Sequence, residues 1–459
     1  MQTTLFFAIT AGLFALYLFI GYVASRKNVS SLDYLLAGKS LGIPAVTATL
    51  LAAQVGGGMF LGTAQDPFRG LFYILGVALG LLILGLGIAE KMRMFNATTT
   101  GEILEMTYRS TNLRQLAAVL SVISLLGILI GQILAVKSVL VTFANIHDHL
   151  FFILFWLGIV TYTMIGGLHT VIITDFFRII FIILVFSGIC LYSLLTSPVS
   201  FFSPENLTRV FEMYQESSIT WQEGLRIILV PALFCLIEED LAQKFFSART
   251  QKIAGISALL ASVLLVFFSF VPFYLGIKGK FLGLALGADV SPLLPVLTSL
   301  TSPFFFTIAL CGILAAITST SDSLLCALTS ILTKPCSELL AIKPSIALSR
   351  IIICVAGIST LLISYLFPEQ IISVLVASYE VSICALFVPF LGSLFLKRHV
   401  SSAAWMAALT GLLLFLIFKI PTAYFPTGIA PIITSSAPYA TFIILAGSLL
   451  LYGIGHIKK

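Results

Sequence analysis

The feature that most constrains this chain is a succession of continuous apolar runs, each about 20 residues long, separated by short polar loops. A bilayer core about 30 Å thick needs about 20 apolar residues at 1.5 Å rise each. Runs of this length predict about thirteen membrane-crossing helices, at roughly 4–24, 42–66, 69–90, 114–143, 149–166, 170–195, 222–243, 253–277, 301–333, 347–366, 369–396, 401–418 and 437–455. A β-barrel would instead show short strands of alternating pattern. Only 10% of the 459 residues are charged and 59% are hydrophobic. A water-soluble domain carries about 25% charged residues to cover its surface, so most of the outer surface must face lipid.

The formal net charge of +6 belongs to membrane orientation rather than to nucleic-acid binding. Most of the Lys and Arg residues, among them Arg26, Lys27, Lys91, Arg93, Arg178, Lys244, Lys397, Lys458 and Lys459, fall on one side if the N-terminus is outside and the C-terminus cytoplasmic. The N-terminal run lacks the basic start of a signal peptide and reads as a retained helix. The seven Cys residues are scattered with no CxxC pair, as small core residues would be. The longest loops, about 91–113, 196–221 and 278–300, leave no room for a fused catalytic domain. No HExxH, nucleophile elbow or Walker loop occurs, which disfavours an enzyme or an ATP-driven pump.

Two apolar runs are interrupted. In LLAAQVGGGMFLGTAQD, Gln54 and Val55 precede Gly56, Gly57 and Gly58. Each glycine costs a helix about 1 kcal/mol relative to alanine, so the triple predicts unwinding at mid-membrane. Backbone freed there must be satisfied by a ligand, an ion or a cavity. Five spans later Pro231 interrupts LRIILVPALFCLIEED, and proline kinks or breaks a helix. Interrupted helices in matching positions point to an inverted-repeat transporter, with halves at 42–195 and 222–396. Residues 1–41 and 397–459 are then extra helices outside the repeat.

The ninth span, GILAAITSTSDSLLCALTS, places Ala316, Ser319, Thr320 and Ser323 on one helical face. Hydroxyls on such a stripe supply neutral oxygen ligands to a hard cation. Carbonyls at Ala316 and in an unwound Ala52–Val55 segment would complete the cage. Asp322 and Glu380 are acids within spans and are functional candidates by default. Glu380 is open to three roles: contact with a cationic solute group, a proton site, or a partner for Arg. Glu238, Glu239 and Asp240 beside Lys244 read as an interfacial charge group.

These motifs resemble the sodium:solute symporter family over about residues 31–400. The matching stretches are SLDYLLAGKSLG, TTTGEILEMTYRS, YTMIGGLHTVIITDFFR, QKFFSARTQKIA, AAITSTSDSLL and FLGSLFLKR, with Gly101 and Lys244 where proline and arginine are usual. The resemblance implies a LeuT-like core of five plus five inverted helices with extra spans outside it. It implies a sodium ion held by the carbonyls of Ala52, Val55 and Ala316 and the hydroxyls of Ser319 and Thr320. In some members a second sodium uses positions that match Asp175 and Ser323, while Asp322 stands where serine can occur. The solute site would lie beside the unwound segment, at Gln54, Gly56, Gly57 and Gly58, with Glu380 a further candidate. Proline carriers have Asp where Gln54 stands, which points away from proline.

The expected function is therefore sodium-coupled import of a small organic solute (amino acid, carboxylate, vitamin or sugar) across the plasma or inner membrane. The alternatives are a proton-coupled carrier on the same scaffold, with Glu380 or Asp322 as proton site, and a solute sensor.

Overall fold

The computed structural model describes residues 2–26, 29–144, 149–196, 201–284, 292–366, 371–420, 436 and 439–457. Lys27, Lys458 and Lys459, used above for orientation, lie outside the described residues. The chain opens with α1 (Gln2–Ser25) and the short α2 (Ser31–Leu36), whose Ser30 and Asp33 form a reciprocal capping box. A broken helix follows as α3 (Ile43–Gln54) and α4 (Gly58–Gln65), bent by 50°. Next comes α5 (Pro67–Met94). Pro67 fills its first turn and the Asp66 side chain accepts from the Arg69 N–H, the expected start for a helix.

Beyond it lie α6 (Thr100–Tyr108), α7 (Thr111–Ala144), α8 (His149–Thr196) and the amphipathic α9 (Pro204–Glu216). A second broken pair is α10 (Trp221–Cys235) and α11 (Glu239–Ser247). The chain continues with α12 (Gln251–Phe281), α13 (Leu293–Leu300), α14 (Pro303–Leu339), α15 (Ile346–Ser364), α16 (Ile371–Phe395), α17 (Ser401–Lys419) and α18 (Ala440–Ile457). Among the described residues the one β pairing is an isolated bridge between Leu41 and Ala248, which ties the entry to α3 to the end of α11.

Ten described helices are long and apolar enough to cross a membrane, eleven if the bent pair α3–α4 is one span. The expected thirteen requires in addition that α8 count twice and that α10–α11 count as one broken span. Within α8, Gly167 has φ 60° and ψ −155°, outside helical space. Its 48 residues would be about 72 Å long at 1.5 Å per residue, more than twice a bilayer core. A Cβ on Gly167 would also come within 2.8 Å of the Tyr34 ring. The kink falls between the two spans expected at 149–166 and 170–195.

Pro231 does not break its helix. It sits inside α10, and the interruption comes later, at Leu236–Glu238. The turns around Pro231 are held by close packing on α5. A Cβ on Gly76 would lie 2.3 Å from the Ile228 carbonyl, and one on Gly80 would lie 2.7 Å from the Ala232 carbonyl. Such close glycine contacts are the usual means of helix association where lipid supplies no hydrophobic drive.

The core is continuous through these helices, and α14 is the most buried of the candidate spans. It contacts α8, α7 and α3, so its small hydroxyl residues face protein rather than lipid. All seven Cys are free thiols and five are buried, in keeping with a packing role.

Candidate ion and solute site

The break in the first core helix is short and specific. The α3 helix ends at Gln54, Val55 leaves helical space at φ −86° and ψ 69°, and the helix resumes at Gly58. Glycine is required here by proximity. A Cβ on Gly56 would lie 2.5 Å from Thr320 Oγ1 and 2.9 Å from Gln132 Oε1, and one on Gly57 would lie 2.3 Å from the Ala135 Cβ. The freed backbone finds one partner across the gap: the Gly57 N–H donates to Gln132 Oε1 at 2.9 Å. An α7 side chain thus caps the start of α4, as buried backbone demands.

The same break brings α3 carbonyls to the α14 stripe. Thr320 Oγ1 lies 3.1 Å from the Ala53 carbonyl, 3.5 Å from that of Ala52 and 3.4 Å from that of Ala316. Ala52, Val55, Ala316 and Ser319 are fully buried. The Ser319 hydroxyl donates to Asp175 Oδ1 at 2.5 Å, and Thr49 donates to Asp175 Oδ2 at 2.6 Å. With its proton committed to Asp175, the Ser319 oxygen keeps its lone pairs for a cation. The Ala53 carbonyl, absent from the expected set, is the nearest of the three to Thr320.

Asp322 is fully buried. It accepts from Arg178 Nη1 at 2.6 Å and from the Tyr162 hydroxyl at 2.7 Å. Arg178 Nη1 also stands 3.6 Å from Asp175 Oδ1, and its guanidinium lies 4.1 Å over the Tyr17 ring. A fixed cation therefore occupies the space between the two carboxylates. Ser323 Oγ, the other atom expected to hold a second cation, makes no hydrogen bond among the described residues. Arg178 and Lys244, counted above with one membrane side, are 2% and 0% exposed. They are interior groups and carry no information about loops.

A small cavity opens beside the break. It brings together Gln54, Gly56 and Gly58 with Thr320, and adds four groups that sequence reasoning missed: Tyr73, Gln132, Glu238 and Tyr379. Gln54 Nε2 donates to Glu238 Oε2 at 3.3 Å. Glu238 is 6% exposed, so it is no interfacial charge. The break after α10 turns it inward, the role expected of Pro231. Its neighbours are equally buried: Glu239 accepts from the Thr100 N–H and hydroxyl at 2.9 and 2.6 Å, and Asp240 pairs with Lys244. Tyr73 and Tyr379 share a hydroxyl–hydroxyl hydrogen bond of 2.7 Å, and Tyr379 stacks on Phe234.

Glu380 does not reach this cavity. It is paired with Arg226 of α10 and with Lys419 of α17, the latter at 3.0 Å, and accepts from the Thr441 hydroxyl of α18. Of its three open roles, the structure displays the ion pair. Neighbouring Tyr379 faces the cavity instead.

Solved structures share this architecture. A Na+-coupled sialic acid symporter in its substrate-bound outward-open state matches with a TM-score of 0.79, covering 98% of this chain and 96% of that one at 17% identity. A nucleobase-cation-symport-1 family transporter in a closed conformation with bromovinylhydantoin bound matches at 0.60, covering 94% and 95% at 13% identity. Both show a LeuT-like fold in common. In sequence, the sodium/pantothenate symporter of Escherichia coli (strain K12) is 28% identical over 167 residues, and the osmoregulated proline transporter OpuE of Bacillus subtilis (strain 168) is 30% identical over 171. Each of these two matches spans about a third of the relative, 35% of its length. The broken helix, the hydroxyl stripe and the cavity between them all lie within residues 34–411, which match the family model described as "Sodium:solute symporter family"; the chain belongs to that family, whose members are transporters and not enzymes.

Proposed function

We propose that the chain imports a small organic solute by sodium-coupled symport, through alternating access around the cavity beside Gly56. The observation that carries this reading is the approach of Thr320 Oγ1 to the Ala52 and Ala53 carbonyls at 3.5 and 3.1 Å. A hard monovalent cation needs several neutral oxygens at close range. The Ala52, Val55 and Ala316 carbonyls with the Ser319 and Thr320 hydroxyls supply them. An ion there fastens α3 to α14, and so favours one arrangement of the two halves at 42–195 and 222–396 over the other. Each charge moved inward gains about 2.3 kcal/mol per 100 mV of membrane potential.

A single sodium fits this arrangement better than two. Arg178 pairs with Asp322 and stands 3.6 Å from Asp175, so a fixed cation already sits beside the acid expected to hold a second ion.

The proton-coupled alternative needs Glu380 or Asp322 as a free acid. Each is committed to an ion pair, and protonation of Asp322 would take a partner from the buried Arg178. The membrane placement follows from the spans, with the N-terminus outside and the C-terminus cytoplasmic as the reading of the loops. The test is solute uptake into proteoliposomes with an inward sodium gradient, against potassium and against a pH gradient alone. Uptake driven by pH without sodium would reject this function.

A further inference from the structure

The cavity holds a carboxyl group that makes no ion pair among the described residues. Glu238 lines it, is 6% exposed, and makes no salt bridge among the described residues. Its protein donor is the neutral Gln54 amide, at a long 3.3 Å. Lys244 of the adjoining α11 is paired with Asp240. From α5 and α16 the groups facing it are the Tyr73 and Tyr379 phenols, bonded to each other. Among the described residues no Lys, Arg or His lines the cavity. A carboxylate buried at membrane depth is costly unless paired, and such groups mark solute or ion pathways.

The rest of the wall fits the same conclusion. Gln132 Oε1 is an acceptor already engaged by the Gly57 N–H. Met59, Ile128, Leu324 and Leu375 are apolar. Among the described residues the wall therefore offers one carboxyl group and no positive side chain. A solute anion would meet no guanidinium or ammonium here, and a solute with no cationic group would leave Glu238 without an ionic partner.

We propose that Glu238 is the recognition group for a protonated amine, so that the transported solute carries an ammonium group. This rests on the reading that the cavity beside Gly56 is the solute site. The ammonium donates to the Glu238 carboxylate and takes the place that an internal Arg or Lys would otherwise fill. Gln54 holds the carboxylate toward the cavity from the opposite helix. Charge-assisted hydrogen bonds of this kind are about twice as strong as neutral ones, and removing one side of a buried pair loses affinity steeply.

The experiment uses the full-length protein purified in detergent, with thermal shift read in sodium and in potassium. The probes are L-alanine, L-proline and L-lysine for amines with a carboxylate, choline and cyclohexylamine for cations without one, and propionate, pantothenate and galactose for solutes with no amine. The expected result is a sodium-dependent shift from one or more amine-bearing probes and none from the amine-free ones. Glu238→Gln should weaken that binding by about ten-fold or more. The shift caused by sodium alone should persist in this variant, which shows that it is folded. The proposal is overturned if amine-free probes give the shift, if no amine-bearing probe does, or if Glu238→Gln binds as the wild type does. It is also overturned if Glu238→Gln loses the response to sodium alone, since the carboxylate would then serve the ion. Failure of the underlying site reading looks different: Gly56→Ala and Thr320→Ala would leave both the sodium and the amine responses intact.

Discussion

Arg178 of α8 donates to Asp322 of α14 across 2.6 Å, with both side chains out of reach of solvent. The two residues are 144 positions apart. Tyr162 bridges them, accepting from Arg178 Nη2 at 3.0 Å and donating to Asp322 at 2.7 Å. The pair lies one step from the proposed ion cage, because Arg178 also faces Asp175, and Asp175 holds Ser319.

Breaking that pair from one side should be severe. Removal of one partner of a buried ion pair costs about 3–5 kcal/mol, whereas neutralising both is far milder. Arg178→Gln should therefore lower the unfolding temperature strongly, and Arg178→Gln with Asp322→Asn should recover most of the loss. Thermal unfolding of the four proteins in detergent provides the cycle. Additive losses would show that the two side chains do not depend on each other.

Ser319→Ala and Thr320→Ala should each raise the sodium concentration for half-maximal uptake, by about ten-fold for a loss of about 1.4 kcal/mol. The maximal rate at saturating sodium should fall less. Initial uptake rates measured against sodium concentration in proteoliposomes decide the matter, and an unshifted curve in either variant would remove its hydroxyl from the cage.

Asp175→Asn should weaken sodium binding without touching the ion directly. The carboxylate accepts from Ser319 and Thr49 at 2.5 and 2.6 Å, and hydrogen bonds to a charged group contribute about 1.5–3 kcal/mol. Thr49→Val removes one of the two donors and should shift sodium affinity by less. A larger effect from Thr49→Val than from Asp175→Asn would reverse the assigned order of influence.

The glycine break can be tested by size alone. Gly57→Ala places a methyl 2.3 Å from the Ala135 Cβ, and overpacking of this kind costs about 1–3 kcal/mol. Gly12→Ala in α1 meets nothing within 4 Å and serves as the control. Uptake and unfolding temperature should both drop for Gly57→Ala and stay level for Gly12→Ala.

Glu380→Gln should act on stability rather than on selectivity. It leaves Arg226 and Lys419 without their shared partner while the cavity wall is unchanged. The expected outcome is a lower unfolding temperature with the same ranking of solutes in competition for uptake. An altered ranking would return Glu380 to the solute site.

The residues that announced themselves in the linear chain did so through local physics. Apolar run length against bilayer thickness set the helical membrane class. Three adjacent glycines marked the broken first helix, because their cost falls on the backbone at that spot. The period of 3.6 placed Ala316, Ser319 and Thr320 on one face, and the structure brings that face to the break. Pro231 misled for the same reason in reverse: a local helix breaker was tolerated because α10 is locked against Gly76 and Gly80 of α5, a contact no local rule contains.

Periodicity tells which side of a helix a residue occupies, never which other helix stands opposite. Glu238 meets Gln54 across 184 residues of chain, and its neighbouring charges made it read as a surface group until the α10–α11 break turned it inward. Arg178 became an internal counter-ion only when α8 and α14 packed side by side. The linear sequence determined what this protein had to live in and where the α3–α4 span had to open; the charges at its centre were assigned by packing, since a buried charge is defined by its partners.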